Sequence, residues 1–249
     1  MISIKTTEQL DKMEEGGKIS SRAVKEVLDY LKPGVKTIEL DRIAEKYILS
    51  QGGKPSFKTV HGYSYTTCIN INEGIVHGLP NNYKIKRGDI VSIDLGVYYK
   101  GFHTDISYTL EVETQKEKDF LDTGKKALTE AISKCVEGFT LGDIGFVIQS
   151  IVESQKYTVS RELVGHGIGK ELHESPYVPG YGKRGHGPKL KEGMVFAIEV
   201  IYQKGKPDLA LDKDGWTLIT KDRSLSALFE HTVIVGKNSP LVITDSLFT

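Results

Sequence analysis

The sequence predicts an α+β protein built from two similar halves, and three observations point there: the order of its elements, a faint internal repeat, and long apolar runs of strand character. Two helical patterns followed by short β-like runs occur once up to residue 112 and once after it. The halves are then 1–112 and 113–249 of a single 249-residue domain. Laying Gly34 on Gly138, an offset of 104 residues, pairs Val35 with Phe139, Leu40 with Ile144, Ile43 with Val147, Tyr47 with Ile151, Ser50 with Ser154 and Gln51 with Gln155. Two unrelated amphipathic helices can align as well as this. A pseudo-twofold fold of this kind would place its site between the halves.

The elements follow in order. Thr7, then Gln9 and Leu10, reads as a capped helix start. Apolar residues recur through Ile19, Ala23, Val27, Leu28 and Leu31 until Pro33-Gly34 ends the pattern. A second helix spans Thr37 to Ser50. After the turn-rich GGKPSFKTVHGYSY, strands are expected at 66–71, 90–97 and 103–110, helices at 115–136 and 142–155, and strands at 193–203, 216–219, 229–235 and 241–244.

Composition narrows the class. A net charge of +0, from 33 basic and 33 acidic residues evenly mixed, argues against a surface dedicated to nucleic acid or anionic membrane. Two cysteines, Cys68 and Cys135, are too few for a disulfide scaffold and fit a reducing, cytoplasmic compartment. The opening MISIKTTEQLDKMEEGGK has no apolar signal core, and no segment reaches the roughly 18 consecutive apolar residues of a spanning helix.

The segment IVSIDLGVYYKGFHTDISYTL reads as a tight hairpin. Val91, Ile93, Leu95 and Val97 share one face of its first strand, and Ser92, Asp94 and Gly96 the other. Setting Tyr98 opposite Gly101 puts Asp94 opposite Asp105, with Cβ atoms about 4.5–5.5 Å apart, a repulsive pair unless a cation lies between them. Glu199 in MVFAIEVIY and Glu230 in ALFEHTVIV sit in strongly apolar runs, where an isolated carboxylate is costly to bury. His166, in LVGHGIGKELHESP, lies between glycines that hold the imidazole at a turn. Four carboxylates and one neutral imidazole balance two divalent cations. Such oxygen-rich ligation suits Mn, Fe or Co, with Zn also compatible, and the implied chemistry is hydrolysis.

These segments resemble the methionine aminopeptidases over essentially the whole chain, through NINEGIVHGLP, RGDIVSIDLG, GFHTDIS, GHGIG with LHESP, EGMVFAIE and DGWTLITKDRSLSALFEHTVIV. The resemblance implies the pita-bread (aminopeptidase/creatinase-like) fold, a duplicated α+β structure with a central antiparallel sheet flanked by helices. It implies two divalent metal ions (Co, Mn, Fe or Zn) on Asp94, Asp105, His166, Glu199 and Glu230. It assigns His77 to the scissile amide nitrogen, His173 to the carbonyl oxygen, and Glu199 to general base and acid. A methionine pocket is implied at Phe57, Val60, Tyr63, Cys68, Leu172 and Trp216. The expected activity removes the initiator methionine of nascent polypeptides ahead of a small second residue, by a cytoplasmic monomer of the short type I form, and it leaves ribosome docking open. The chain departs from the family pattern at Val200, where a proline is common after Glu199, at Thr104, and at Phe57 and Val60 in the pocket wall. Two rivals share the fold: a proline-specific aminopeptidase or dipeptidase, which usually carries a further N-terminal domain, and a binding module that has lost its metals, against which all five ligand residues stand.

Overall fold

The computed structural model describes residues 2–245. Its elements are α1 (Thr7–Tyr30), α2 (Thr37–Ser50), β1 (Lys54–Pro55), a 3-10 turn at Phe57–Thr59, β2 (Thr67–Ile71), β3 (Gly74–Val76), β4 (Ile90–Tyr99), β5 (Phe102–Glu111), α3 (Lys118–Ile132), α4 (Leu141–Ser154), β6 (Thr158–Val159), β7 (Gly165–Gly167), β8 (Glu174–Val178), β9 (Val195–Gln203), β10 (Leu209–Leu211), β11 (Leu218–Thr220), β12 (Ser226–Ile234) and β13 (Leu241–Val242). The first helix is capped by Thr6 rather than Thr7. The Thr6 hydroxyl accepts from the Gln9 N–H, and the Gln9 side chain accepts in return from the Thr6 N–H.

The ten-stranded main sheet runs β1-β4-β5-β12-β9-β7-β8, with β2 on β4, β6 on β9 and β13 on β12, and every pairing is antiparallel. A second sheet orders β10-β11-β3. All four helices cover one face of the main sheet. Helices α1 and α2 bury Val24, Val27, Leu40, Ala44 and Ile48 against Val91, Ile93, Leu95 and Val97 of β4. Helices α3 and α4 bury Phe120, Leu128, Ile144 and Ile148 against Phe196, Ile198 and Val200 of β9 and Phe229 and Val233 of β12. Each buried Val, Leu, Ile or Phe among them contributes about 1.5–3 kcal/mol. The alternate residues of the same strands face the opposite side, where polar groups collect.

The hairpin between β4 and β5 corrects the expected register. Its loop is Lys100-Gly101, with φ of 47 and 91, so both central residues are left-handed, as a type I′ turn requires. Tyr99 therefore faces Phe102, Gly96 faces Asp105, and Asp94 faces Ser107. Asp94 and Asp105 share a face, but as diagonal neighbours rather than direct partners.

Candidate active site

The polar face of the main sheet carries its acidic groups in two adjoining rows. One row runs Asp94, Ser107, Glu230, Glu199 across four consecutive strands. In the next row Asp105 faces Gly96, while Ala197 pairs with Thr232 on one side and His166 on the other. The Thr232 hydroxyl closes this row by accepting from the Asp105 N–H and donating to the Asp105 carbonyl, both at 2.8 Å. His166 thus sits in strand β7 and not at a turn. Its neighbour Gly165 makes that pairing feasible, because a Cβ there would collide with the Ala197 carbonyl oxygen of β9.

The ring of His166 is oriented from behind. Its Nδ1 lies 2.9 Å from the Gly167 carbonyl, which can only accept, so Nδ1 carries the proton and the Nε2 lone pair faces the carboxylates, 3.6 Å from Glu199. Burial first, then His173, lowers its pKa to about 4, which keeps it neutral. Ligand atoms of Asp105, His166 and Glu230 lie within 4.8 Å of one another. Buried oxygens of Asp94 (Oδ1) and Glu230 (Oε1) have no hydrogen-bond partner. Burial, and then the neighbouring carboxylates, push Asp94, Glu199 and Glu230 well above the usual carboxylate range, and burial brings Asp105 to about 7. Orphaned acidic oxygens around an imidazole lone pair fit divalent cations, since buried charge survives when something positive compensates it.

A cavity of about 190 Å³ opens above this cluster, and it brings together every site residue expected from the sequence. Phe57, Val60, Tyr63, Cys68, Leu172 and Trp216 form an apolar wall, with Tyr63 edge-on to Trp216 at 5.2 Å and to Phe57 at 6.3 Å. The wall is held by hydrogen bonds: the Tyr63 hydroxyl donates to the Thr67 carbonyl at 2.8 Å, and the buried Asp41 carboxylate accepts from the N–H groups of Thr66 and Thr67. His77 occupies a left-handed backbone conformation, φ 60, fixed by Gly78, whose N–H donates to Asn70 Oδ1 while its carbonyl accepts from the Ile69 N–H. The His173 ring stands edge-on to His166, centroids 4.5 Å apart. Burial lowers the pKa of both His77 and His173, so both imidazoles are neutral near pH 7. Val76 and Leu228 also line the cavity and were not foreseen. Leu228 lies two residues before Glu230 on the same strand face, and that period-2 relation is the signal that could have found it.

A buried acidic cluster at the floor of an apolar chamber, on a helix-backed antiparallel sheet, is the arrangement of a metal-dependent peptidase. Residues 11–237 match metallopeptidase family M24. The chain is 40% identical over 246 residues to the methionine aminopeptidase of Clostridium perfringens, covering 98% of this chain and 99% of that one, and 39% identical to methionine aminopeptidase 1 of Bacillus subtilis over the same shares. The crystal structure of methionine aminopeptidase from Thermotoga maritima superposes with a TM-score of 0.95 at 39% identity, covering 98% of this chain and 99% of that chain. Prolidase from Pyrococcus furiosus is more distant, with a TM-score of 0.80 at 25% identity, and this chain spans 65% of its length. The chain belongs to metallopeptidase family M24 and, within it, to the methionine aminopeptidases, with their pita-bread fold.

Proposed function

We propose that this protein hydrolyses the peptide bond after the initiator methionine of nascent polypeptides, as a cytoplasmic monomer, with preference for a small second residue. The observation that carries the reading is the meeting, in one cavity, of an apolar chamber with the buried carboxylates and with two neutral histidines at their edge. The whole chain acts as one catalytic domain, and two helix pairs on one sheet support its division into halves at 1–112 and 113–249. Among the described residues no helix is long and apolar enough to cross a membrane.

Two divalent cations, of Mn, Fe, Co or Zn, held by Asp94, Asp105, His166, Glu199 and Glu230, would supply the Lewis acidity that activates water and polarises the scissile carbonyl. The chain's own groups do the rest. The apolar wall takes the methionine side chain and excludes water from it. A Glu199 carboxylate oxygen receives the proton of the attacking water and returns it to the leaving nitrogen. His173 donates a hydrogen bond to the carbonyl oxygen as negative charge develops there, and His77 contacts the scissile amide nitrogen.

Cleavage of Met-Ala-Ser and of Ala-Pro-Ala by the metal-loaded protein, followed by mass spectrometry, tests the reading. Release of methionine from the first peptide with little action on the second is expected. The reverse would make the protein proline-specific like the prolidase it resembles, and no cleavage of either would make it a binding module.

A further inference from the structure

Lys5 is one of the most buried cations among the described residues, and its partner stands next to His173. Its side chain is 4% exposed, and its ammonium donates to Glu174 Oε2 at 2.7 Å. The other carboxylate oxygen of Glu174 turns back to accept the N–H of Lys170 at 2.7 Å and of Glu171 at 3.3 Å, so one side chain ties together the loop that leads into His173. Burial works against ionisation of Glu174, but Lys5 and these backbone donors outweigh it and hold its carboxyl below the ordinary value.

Lys5 is itself a fixed post. Its N–H donates to the Gly193 carbonyl at 2.9 Å, just before strand β9 that carries Glu199, and the next residue is Thr6, the reciprocal cap of α1. The fit is close: a Cβ on Gly169 would fall 2.5 Å from Lys5 Cε. On the far side of the loop, the Gly169 carbonyl accepts from the His103 N–H at 2.7 Å. Residues 169–174 are thereby held between the amino-terminal segment and strand β5, with His173 at the end of the clamped stretch.

We propose that the Lys5–Glu174 ion pair is a positioning device that sets the aim of His173 into the cavity, an inference that rests on the role given to His173 above. Broken, it would leave the fold and the cation cluster in place and move a hydrogen-bond donor that must meet the carbonyl oxygen accurately. Misplacement on the order of 1 Å lowers turnover by up to about 100-fold.

The test is a set of metal-loaded enzymes assayed well below their melting temperatures: wild type, Lys5→Met, His173→Ala and the double variant. Lys5→Met is expected to lower kcat roughly 10- to 100-fold with little change in KM and full metal content. Because Lys5 acts through His173, the double variant should be no slower than His173→Ala alone. A support of the fold and nothing more would lower the melting temperature and slow both backgrounds equally. Should Lys5→Met fail to fold, Glu174→Gln, which keeps an acceptor for Lys170 and Glu171, carries the same comparison. The proposal is overturned if Lys5→Met turns over normally while His173→Ala does not, or if the two effects multiply. A fully active His173→Ala enzyme overturns the role of His173 itself, a result visible without any change at residue 5.

Discussion

Glu199 and Glu230 are direct cross-strand partners on adjoining strands, Glu230 buried and the Glu199 side chain only 12% exposed, so each carboxylate stands in the other's field. Like charges so placed destabilise a sheet, and an apolar surround makes the cost larger. Only 2% of Glu230 is exposed, and one of its oxygens has no hydrogen-bond partner in the protein. The arrangement is coherent only if protons or cations neutralise it.

That choice predicts a pH-dependent effect of metal on stability. In the metal-free protein Asp105 titrates at about 7, against an ordinary 3.8, and Asp94, Glu199 and Glu230 are also raised. Folded pKa values above the unfolded ones mean that the native state binds the extra protons, so metal-free stability falls as pH rises from about 4 through about 7. Cations displace those protons and remove the penalty. His103 and His231, each lowered to about 4, act in the opposite sense below 6.5 and do so in both forms, while His166, lowered to about 4 without metal and proposed as a ligand with it, stays neutral in both above about pH 5. The Tm difference between metal-loaded and chelator-treated protein should therefore widen from about pH 5.5 to about pH 8. Calorimetry in paired buffers measures it, and a gap that narrowed with pH would contradict a cation site built from these carboxyls.

How far the sequence revealed this site depends on what each feature requires. Period-2 alternation was enough to put Asp94 and Asp105 on one strand face opposite Val91, Ile93 and Leu95. Their register was not legible, because it hangs on Lys100 adopting a left-handed φ, which no side-chain pattern announces. Glycines beside His166 looked like a turn. They instead serve close strand pairing, Gly165 against the Ala197 carbonyl of β9, about thirty residues downstream, and Gly167 against the Ser175 carbonyl of β8. Strands β1, β3, β6, β7 and β10 have two or three residues each, too few for any periodicity. The Lys5–Glu174 pair joins positions 169 residues apart and leaves no local trace at all.

Asp105→Asn should lower metal content and activity together. Its carboxylate lies within 4.8 Å of the ligand atoms of His166 and Glu230, and the amide that replaces it has one less charge to offer two dications. Losses beyond roughly 100-fold are expected, because outer partners of metal ligands already account for 10–100-fold. The metal-free variant should meanwhile be at least as stable as the metal-free parent, since the Asp105 charge is among the causes that raise Asp94, Glu199 and Glu230. Elemental analysis alongside thermal melts decides it: full occupancy in the variant would remove Asp105 from the ligand set.

The chamber predicts selectivity by size and shape. An apolar wall of Phe57, Tyr63, Leu172 and Trp216 favours an unbranched thioether that can adjust its rotamers, so methionine should be released faster than leucine. Close analogues in such pockets differ by only about 10–200-fold, and norleucine should retain measurable turnover. At the second position Met-Ala peptides should outrun Met-Leu peptides if the proposed preference for a small second residue holds. Equal kcat/KM for Met-Ala and Met-Leu substrates would refute the small-residue preference while leaving the hydrolytic reading intact.

His173→Ala should damage turnover far more than binding. The imidazole stands edge-on to His166 with centroids 4.5 Å apart, close enough to share the cavity, yet it is His166 and not His173 that groups with Asp105 and Glu230. Burial keeps His173 neutral, so it offers an N–H donor without adding a positive charge beside the cations. A hydrogen bond from that donor strengthens as the carbonyl oxygen becomes an oxyanion, and its value is therefore greatest in the transition state. Removing one preorganised donor of this kind costs on the order of 10²–10³ in kcat, about 2.7–4 kcal/mol, with KM little changed. Metal content should stay at the wild-type level, since the variant leaves all five proposed ligands in place. Steady-state kinetics paired with elemental analysis separates the outcomes: near-normal kcat would end the oxyanion role, and lost metal would make His173 a ligand.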